Sequence, residues 1–113
     1  MASSLESTNP MDALRARYAA TFPQKRDALV EAWTAYAQAR DGATHGQLSM
    51  QLHRLCGSAA SYGYVDLGAR ACSADRLCGD VAEAIDGERF VLLESAVYSV
   101  VDALEHPAEP VRS

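Results

Sequence analysis

Basic side chains, long apolar runs and closely spaced cysteines are all scarce in this sequence. Ten Lys and Arg residues stand against fifteen Asp and Glu residues, which gives a formal net charge of −5. A nucleic-acid-binding domain normally carries a basic face, and binding to anionic lipid requires clustered Lys or Arg. We therefore expect neither nucleic acid nor a membrane among the partners.

Only three cysteines are present, Cys56, Cys72 and Cys78, and no two of them follow the Cys-x-x-Cys spacing. The sequence therefore predicts neither a disulfide framework nor a zinc site, and it favours a reducing, cytoplasmic location. We interpret the cysteines as small apolar fillers, with Cys78 in the core. No stretch approaches the roughly 20 apolar residues of a membrane span, and the polar N-terminus lacks the apolar segment of a signal peptide.

The length of 113 residues indicates one domain, and 49% hydrophobic residues make the chain too apolar for intrinsic disorder. We expect the domain to cover residues 9–106, between flexible segments at 1–8 and 107–113. The chain is interpreted as a complete, stand-alone protein, although a segment of a longer protein would look the same.

Apolar residues recur with a period near 3.6 throughout the chain, which predicts an all-α fold. Five helices are expected. The first runs from Asn9-Pro10 to about Ala20, the second from Thr21-Phe22-Pro23 to about Arg40, the third from a Thr44-x-x-Gln47 capping box to Gly63, the fourth to Asp86-Gly87, and the fifth to a point before His106-Pro107. Long helices joined by short turns must run antiparallel, so the predicted architecture is an up-down-up-down four-helix bundle with a short extra N-terminal helix.

The predicted core stripes follow from the same spacing. They comprise Leu29, Trp33 and Tyr36 on the second helix; Leu48, Leu52, Leu55, Ala59 and Tyr62 on the third; Leu67, Ala71, Ala74, Cys78, Val81 and Ile85 on the fourth; and Phe90, Leu93, Val97, Val100 and Leu104 on the fifth.

His53 lies one residue after core-facing Leu52, about 100° round the third helix, so it faces outward. Its neighbours on that outer stripe are all small: Gly46, Ser49, Cys56, Gly57 and Ala60. A helix built only for stability would carry longer side chains there, and glycine costs about 1 kcal/mol relative to alanine. The stripe leaves room for the surface of another molecule, although a lone surface histidine without a function is the alternative.

An accessible imidazole can act as a nucleophile, a general base or a metal ligand. A metal would need further ligands, but His45 and His106 lie at helix ends and no His-Glu-x-x-His or Glu-x-x-His motif occurs, so we expect no metal site. A general base would need a substrate pocket, which a filled bundle does not offer. Covalent chemistry on the ring remains, such as acceptance of a phosphoryl group from an acyl phosphate.

The segment from Gln51 to Gly63 resembles the signature of histidine phosphotransfer (HPt) domains, H-x-L-K/R-G-S/A-S/A-x-x-x-G. The matching residues are His53, Leu55, Gly57, Ser58, Ala59 and Gly63, and the apolar positions of the next helix are filled by Leu67 and Ala71. The resemblance implies a phosphorelay carrier that accepts a phosphoryl group on His53 from the aspartate of a receiver domain, or from a kinase, and passes it to another receiver.

Further roles are implied by the resemblance. The family places a carboxylate or amide 22 positions after the histidine, which is Asp75 here, to hold Nδ1–H while Nε2 attacks. A solvated surface aspartate, paired with Arg76 or Arg54, is the alternative for this residue. The expected docking face comprises Ser49, Met50, Cys56, Gly57 and Ala60. Ser58 is expected to bond back to the Arg54 carbonyl.

Cys56 departs from many members of the family, which carry Lys or Arg at that position, where the cation can neutralise the phosphoryl oxygens. We expect Arg54 to compensate, with Arg70 or Arg76 as alternatives. The expected partners are a response-regulator receiver domain, a hybrid sensor kinase, or both, bound by a monomer. No cofactor is expected, with Mg²⁺ only in the receiver. The competing hypotheses are an HPt-like adaptor that binds a receiver or kinase without phosphotransfer, and a plain helical scaffold.

Overall fold

The computed structural model of the protein describes residues 10–80 and 87–110, which are helical almost throughout. The helices are α1 (Pro10–Ala20), α2 (Phe22–Ala39), α3 (Gly42–Ser58), a short 3-10 helix (Ala60–Tyr62), α4 (Val65–Asp80) and α5 (Gly87–Glu105). No strand occurs in this part of the chain. The all-α prediction is confirmed, and α1 and the end of α5 lie at the predicted residues.

Four of the helices enclose one apolar core. Helix α3 packs against α2 and α4, and α5 packs against α4 and α2. The predicted core positions are buried wherever they are described, except for Tyr62 and Phe90, which are partly buried at its edge. The predicted core residues Val81 and Ile85, the predicted helix start at Asn9 and the predicted helix end at Asp86 lie outside the described residues.

The turn between α2 and α3 differs from the prediction. Asp41, not Thr44, is the N-cap of α3: its carboxylate accepts from the Thr44 backbone N–H at 2.9 Å, and the Thr44 hydroxyl interacts with Asp41 in return. The αL residue that ends α2 is Arg40, with φ of 49° and its N–H donating to the Tyr36 carbonyl at 2.8 Å. The N-cap of α3 therefore lies three residues before the predicted cap at Thr44.

The corner between α3 and α4 brings these two helices into close contact. Gly63 adopts φ of 87°, as expected for a helix-ending glycine. Five residues later, a Cβ atom on Gly68 would lie 3.3 Å from the backbone nitrogen of Ala60 and 3.5 Å from the Cβ of Ala59. Because only glycine leaves this space free, Gly68 allows α4 to approach the end of α3 closely.

Helix α1 covers the end of α3. Tyr18 is buried, its ring stacks on that of Tyr62 at 4.3 Å, and its hydroxyl lies 2.7 Å from Ser58 Oγ. Ser58 donates to the Arg54 carbonyl at 2.8 Å, as predicted, so the Tyr18 hydroxyl supplies the proton of the other bond.

The predicted domain limits at residues 9 and 106 stay a prediction. The segment 1–8 lies outside the described residues, and residues 107–110 follow α5 without regular secondary structure. None of the helices that the structure describes is long and apolar enough to cross a membrane.

Candidate functional site

His53 is the exposed centre of the candidate site. Its side chain is 79% exposed, while that of Asp75 on α4 is 23% exposed. The His53 Nδ1 atom lies 3.1 Å from Asp75 Oδ2, within hydrogen-bond distance. Asp75 therefore lies beside the histidine. Among the described residues its carboxylate forms no ion pair with Arg54 or Arg76, which was the alternative for this residue.

The contact of His53 with Asp75 fixes which tautomer suits the site. A carboxylate only accepts hydrogen bonds, so Nδ1 carries the proton when it binds Asp75. In the neutral ring the lone pair then lies on Nε2, the outer nitrogen, which points away from Asp75. The arrangement presents an unprotonated ring nitrogen to solvent, which is the form of imidazole that can act as a nucleophile.

A disulfide joins α3 to α4 one helical turn from this pair. Cys56 and Cys72 are bonded, with their Cα atoms 4.6 Å apart. The expectation that the chain forms no disulfide, with all three cysteines as apolar fillers, is therefore wrong for these two residues and holds only for buried Cys78. The prediction of a reducing, cytoplasmic location depended on that expectation and loses this support.

The position of the disulfide follows from the antiparallel register of α3 and α4. His53 faces Asp75, Cys56 faces Cys72, and Ala60 faces Gly68, so each step up α3 is a step down α4. Residues three apart lie on the same face of a helix. The signal was present in the sequence: once His53 is paired with Asp75, the same register brings Cys56 to Cys72.

The residues predicted to dock a partner lie around His53 on α3 and on the 3-10 helix. Met50, Gly57 and Ala60 are exposed, while Ser49 and Cys56 are partly buried. A Cβ atom on Gly57 would meet nothing within 4 Å, and the same is true of Gly46, which lies on the same stripe before His53. Internal packing therefore does not require glycine at either position. Cys56 differs from the rest because its side chain is linked to α4.

The cations near the site are placed differently from one another. Arg54 is exposed and lines a shallow depression beside α2 with Gln24, Lys25 and Gln51. Its guanidinium forms no hydrogen bond or ion pair within residues 10–80 and 87–110. Arg76 is exposed on α4, directly after Asp75, and its guanidinium lies 3.4 Å from Ser73 Oγ.

Arg70 is held on the opposite side of α4. Its guanidinium lies 3.1 Å from Asp66 and 3.6 Å from Asp102, and it donates to the Ser99 carbonyl at 3.0 Å. These contacts direct Arg70 to the seam between α4 and α5. The expectation that it could substitute for the missing cation beside His53 is not supported by this placement.

His45 has a structural contact that the sequence did not indicate. Its Nε2 atom lies 2.7 Å from the backbone carbonyl of Cys78, so α3 and α4 are also joined near the start of α3 and the end of α4.

Burial raises the pKa of the Cys78 thiol to about 11, with a smaller contribution from the charge of Asp75. The described residues contain no group of three or more His, Cys, Asp or Glu side chains that could hold a metal ion.

Comparison with protein-family models, with curated proteins and with solved structures gives no match for this chain. The site combines an exposed imidazole, a neighbouring carboxylate at its inner nitrogen, and a surface of small side chains around it.

Proposed function

We propose that this protein is a phosphorelay carrier of the histidine phosphotransfer type, which accepts a phosphoryl group on His53 from a receiver domain or kinase and passes it to another receiver. The observation that carries the proposal is the pairing of an exposed His53 ring with Asp75 at Nδ1. The resemblance of residues 51–63 to the HPt signature supports it. The packing of α2, α3, α4 and α5 against one another fits an up-down-up-down bundle.

The proposed reaction is a transfer between two side chains. The Nε2 lone pair of His53 attacks the phosphorus of an aspartyl phosphate, the N–P bond forms, and the acyl P–O bond breaks to release the aspartate carboxylate. The Nδ1 proton stays on the ring, and the carboxylate of Asp75 stabilises the positive charge that the ring acquires. The return step reverses these bonds onto the aspartate of a second receiver. Mg²⁺ is expected in the receiver.

The open surface around His53 provides the docking face for that receiver. Gly57 lies one turn beyond His53 with empty space where its Cβ would be. A receiver has to bring its phosphorylated aspartate within bonding distance of Nε2, so side chains at this position would keep the two surfaces apart. We propose Ser49, Met50, Gly57 and Ala60 as contacts of the partner, together with the outer edge of Cys56, and a monomer as the active form.

The test is phosphoryl transfer from labelled receivers. The chain is incubated with a panel of phosphorylated receiver domains, and we expect a label that is stable in base and labile in acid, as a phosphoramidate is. His53→Gln should abolish this label, while His106→Gln serves as the matched control, since it removes an exposed histidine after α5. Absence of transfer across a broad panel, or unchanged labelling of His53→Gln, would contradict the proposal.

Arg54 is proposed as the cation that supports the phosphoryl group in place of the family's Lys or Arg at position 56. It follows His53 directly, is exposed, and has no side-chain partner in the described part of the chain. Arg54→Ala is expected to slow transfer, whereas the matched variant Arg70→Ala, which removes a cation from the α4–α5 seam, should not. Transfer to Arg54→Ala at the rate of the parent protein rejects this role.

The alternative function is an adaptor that binds a receiver or kinase without accepting phosphate. The absence of a cation at position 56, where the side chain is bonded to Cys72, favours it. The two functions differ in one measurement. Retained receiver binding by His53→Ala, together with no labelled species in the parent protein, would identify the adaptor.

A further inference from the structure

The disulfide and the His53–Asp75 hydrogen bond are neighbouring contacts between α3 and α4. Cys56 is one turn after His53, and Cys72 is one turn before Asp75. A change in the distance between α3 and α4 at the disulfide should therefore also change the distance between His53 and Asp75, one helical turn away. The Cα separation of 4.6 Å lies near the short end of the range for disulfides, so the bond holds the two helices at close approach.

The hydrogen bond at stake has little tolerance for movement. The distance of 3.1 Å between His53 Nδ1 and Asp75 Oδ2 is at the long end for N–H···O bonds, and a separation of 3.6 Å is no longer a hydrogen bond. A displacement of about half an ångström between the helices is enough to break it. On the other side of Asp75, α4 is held to α3 by the His45 contact with Cys78.

The surroundings of Cys56 and Cys72 leave the disulfide within reach of a reductant. Both residues are partly buried, while the core positions beside them, Leu55 and Ala71, are buried. The Cys56 carbonyl lies 3.6 Å from Cys72 Sγ, which gives a free Cys72 thiol an acceptor.

We propose that the Cys56–Cys72 disulfide is a redox-sensitive positioning link for His53, which keeps Asp75 on Nδ1 while it is formed and releases that contact when a dithiol reductant cleaves it. This proposal rests on the function proposed above. The reductant's thiolate attacks one sulfur, a mixed disulfide forms, and its second thiol resolves it. Two electrons and two protons pass to Cys56 and Cys72, and the reductant leaves as a disulfide. A small-molecule disulfide reverses the exchange.

The consequence for His53 is a change of tautomer. Without Asp75, the proton is no longer held on Nδ1 and moves to Nε2 in a larger fraction of molecules. In that form the outer nitrogen has no free lone pair, so it cannot attack phosphorus. The reduced protein should therefore accept phosphoryl groups more slowly, by roughly tenfold if it loses most of the benefit of its orienting partner.

The experiment measures the tautomer and the transfer rate in the same samples. The ¹⁵N-labelled chain is examined by NMR of the imidazole nitrogens, oxidised with glutathione disulfide and reduced with dithiothreitol, and transfer from a phosphorylated receiver is timed in both states. Alkylation and mass measurement count the thiols. Two should appear on reduction, because the third, Cys78, is buried.

Two variants serve as controls. Cys56→Ser/Cys72→Ser should have the transfer rate and Nδ1–H fraction of the reduced protein, and dithiothreitol should change neither. Asp75→Ala should accept phosphoryl groups slowly in both redox states. The Nδ1–H fraction and the rate are both expected to fall on reduction while the circular dichroism stays helical. An unchanged tautomer in the reduced chain overturns the positioning link, and so does general unfolding on reduction. If no receiver phosphorylates either state, the proposed function fails, while the tautomer measurement still decides the link.

Discussion

At the residue scale, the proposed reaction gives His53 and Asp75 different roles. The ring of His53 is exposed, while the less exposed carboxylate of Asp75 lies at Nδ1. Replacing Asp75 with alanine removes the acceptor, and we expect transfer to His53 to slow by roughly 10–100-fold, as is typical when an orienting partner is lost.

The matched control for that change is Asp75→Asn, which keeps an oxygen acceptor in the same place. It should transfer considerably faster than Asp75→Ala, since the amide can still hold Nδ1–H. Stopped-flow or quench-flow labelling by a phosphorylated receiver gives both rates. Equal rates for Asp75→Ala and the parent protein would show that the carboxylate has no orienting role.

Gly57 and Gly68 differ in the space that surrounds them, so their replacement by alanine should have opposite effects on stability. An added Cβ at Gly57 meets open space, whereas at Gly68 it comes within 3.3 Å of the Ala60 backbone. Gly57→Ala should therefore stabilise the protein by roughly 0.5–1 kcal/mol and slow transfer from the receiver. Gly68→Ala should destabilise it by about 1 kcal/mol.

Urea unfolding of the two variants measures both effects on stability, and receiver transfer measures the effect on docking. The Gly57 result is the informative one, because a more stable protein with slower transfer separates the partner-facing role from folding. Faster or unchanged transfer to Gly57→Ala would remove this residue from the docking face.

At the scale of elements, the start of α3 depends on an exposed carboxylate. Hydrogen bonds from the Thr44 backbone N–H and hydroxyl hold the pKa of Asp41 below its ordinary value of 3.8. A carboxyl group with a lowered pKa contributes stability above its unfolded pKa and loses it as the pH falls through the folded pKa. The free energy of unfolding should therefore decrease below about pH 4 through this group.

Asp41→Asn isolates that dependence, because asparagine is a good N-cap that does not titrate. The advantage of the parent protein over this variant should shrink as the pH is lowered in urea unfolding experiments. A difference that stays constant with pH would show that the charge of Asp41 does not contribute.

The helix faces could be predicted from the sequence because each depends on a spacing within one element. The inward positions of α3, Leu48, Leu52, Leu55 and Ala59, are all buried, and the outward position of His53 follows from them. The predicted start of α3 is wrong because aspartate and threonine are both favourable N-cap residue types. The structure shows that Asp41 caps the helix.

The register between elements could not be predicted from periodicity, which describes one helix at a time. The resemblance to the HPt signature predicts the contact of Asp75 with His53. The spacing of Cys56 and Cys72 along the chain does not by itself indicate a disulfide, because their pairing depends on the register of the two helices. The relation between them is geometric: one turn along each of two antiparallel helices leads from His53–Asp75 to Cys56–Cys72.

At the scale of the whole molecule, the disulfide closes a loop over a sequence separation of 16 residues that contains the α3–α4 corner. Closing a loop of about this length restricts the unfolded chain and stabilises the folded one by roughly 3 kcal/mol. Domains of this size have total stabilities of about 5–15 kcal/mol, so the reduced protein should remain folded but unfold at lower urea concentration.

Urea unfolding with and without dithiothreitol measures this difference, and Cys56→Ser/Cys72→Ser should be insensitive to the reductant. The outcome bears on the whole fold because α4 is held to its neighbours by several contacts: Gly68 against Ala60, His45 against Cys78, and Arg70 against α5. If these contacts keep α4 in place, reduction lowers the free energy of unfolding without loss of helical structure. The disulfide can then change the contact of His53 with Asp75 while the protein stays folded. A reduced chain that is unfolded in buffer would show instead that the disulfide is required for the fold itself.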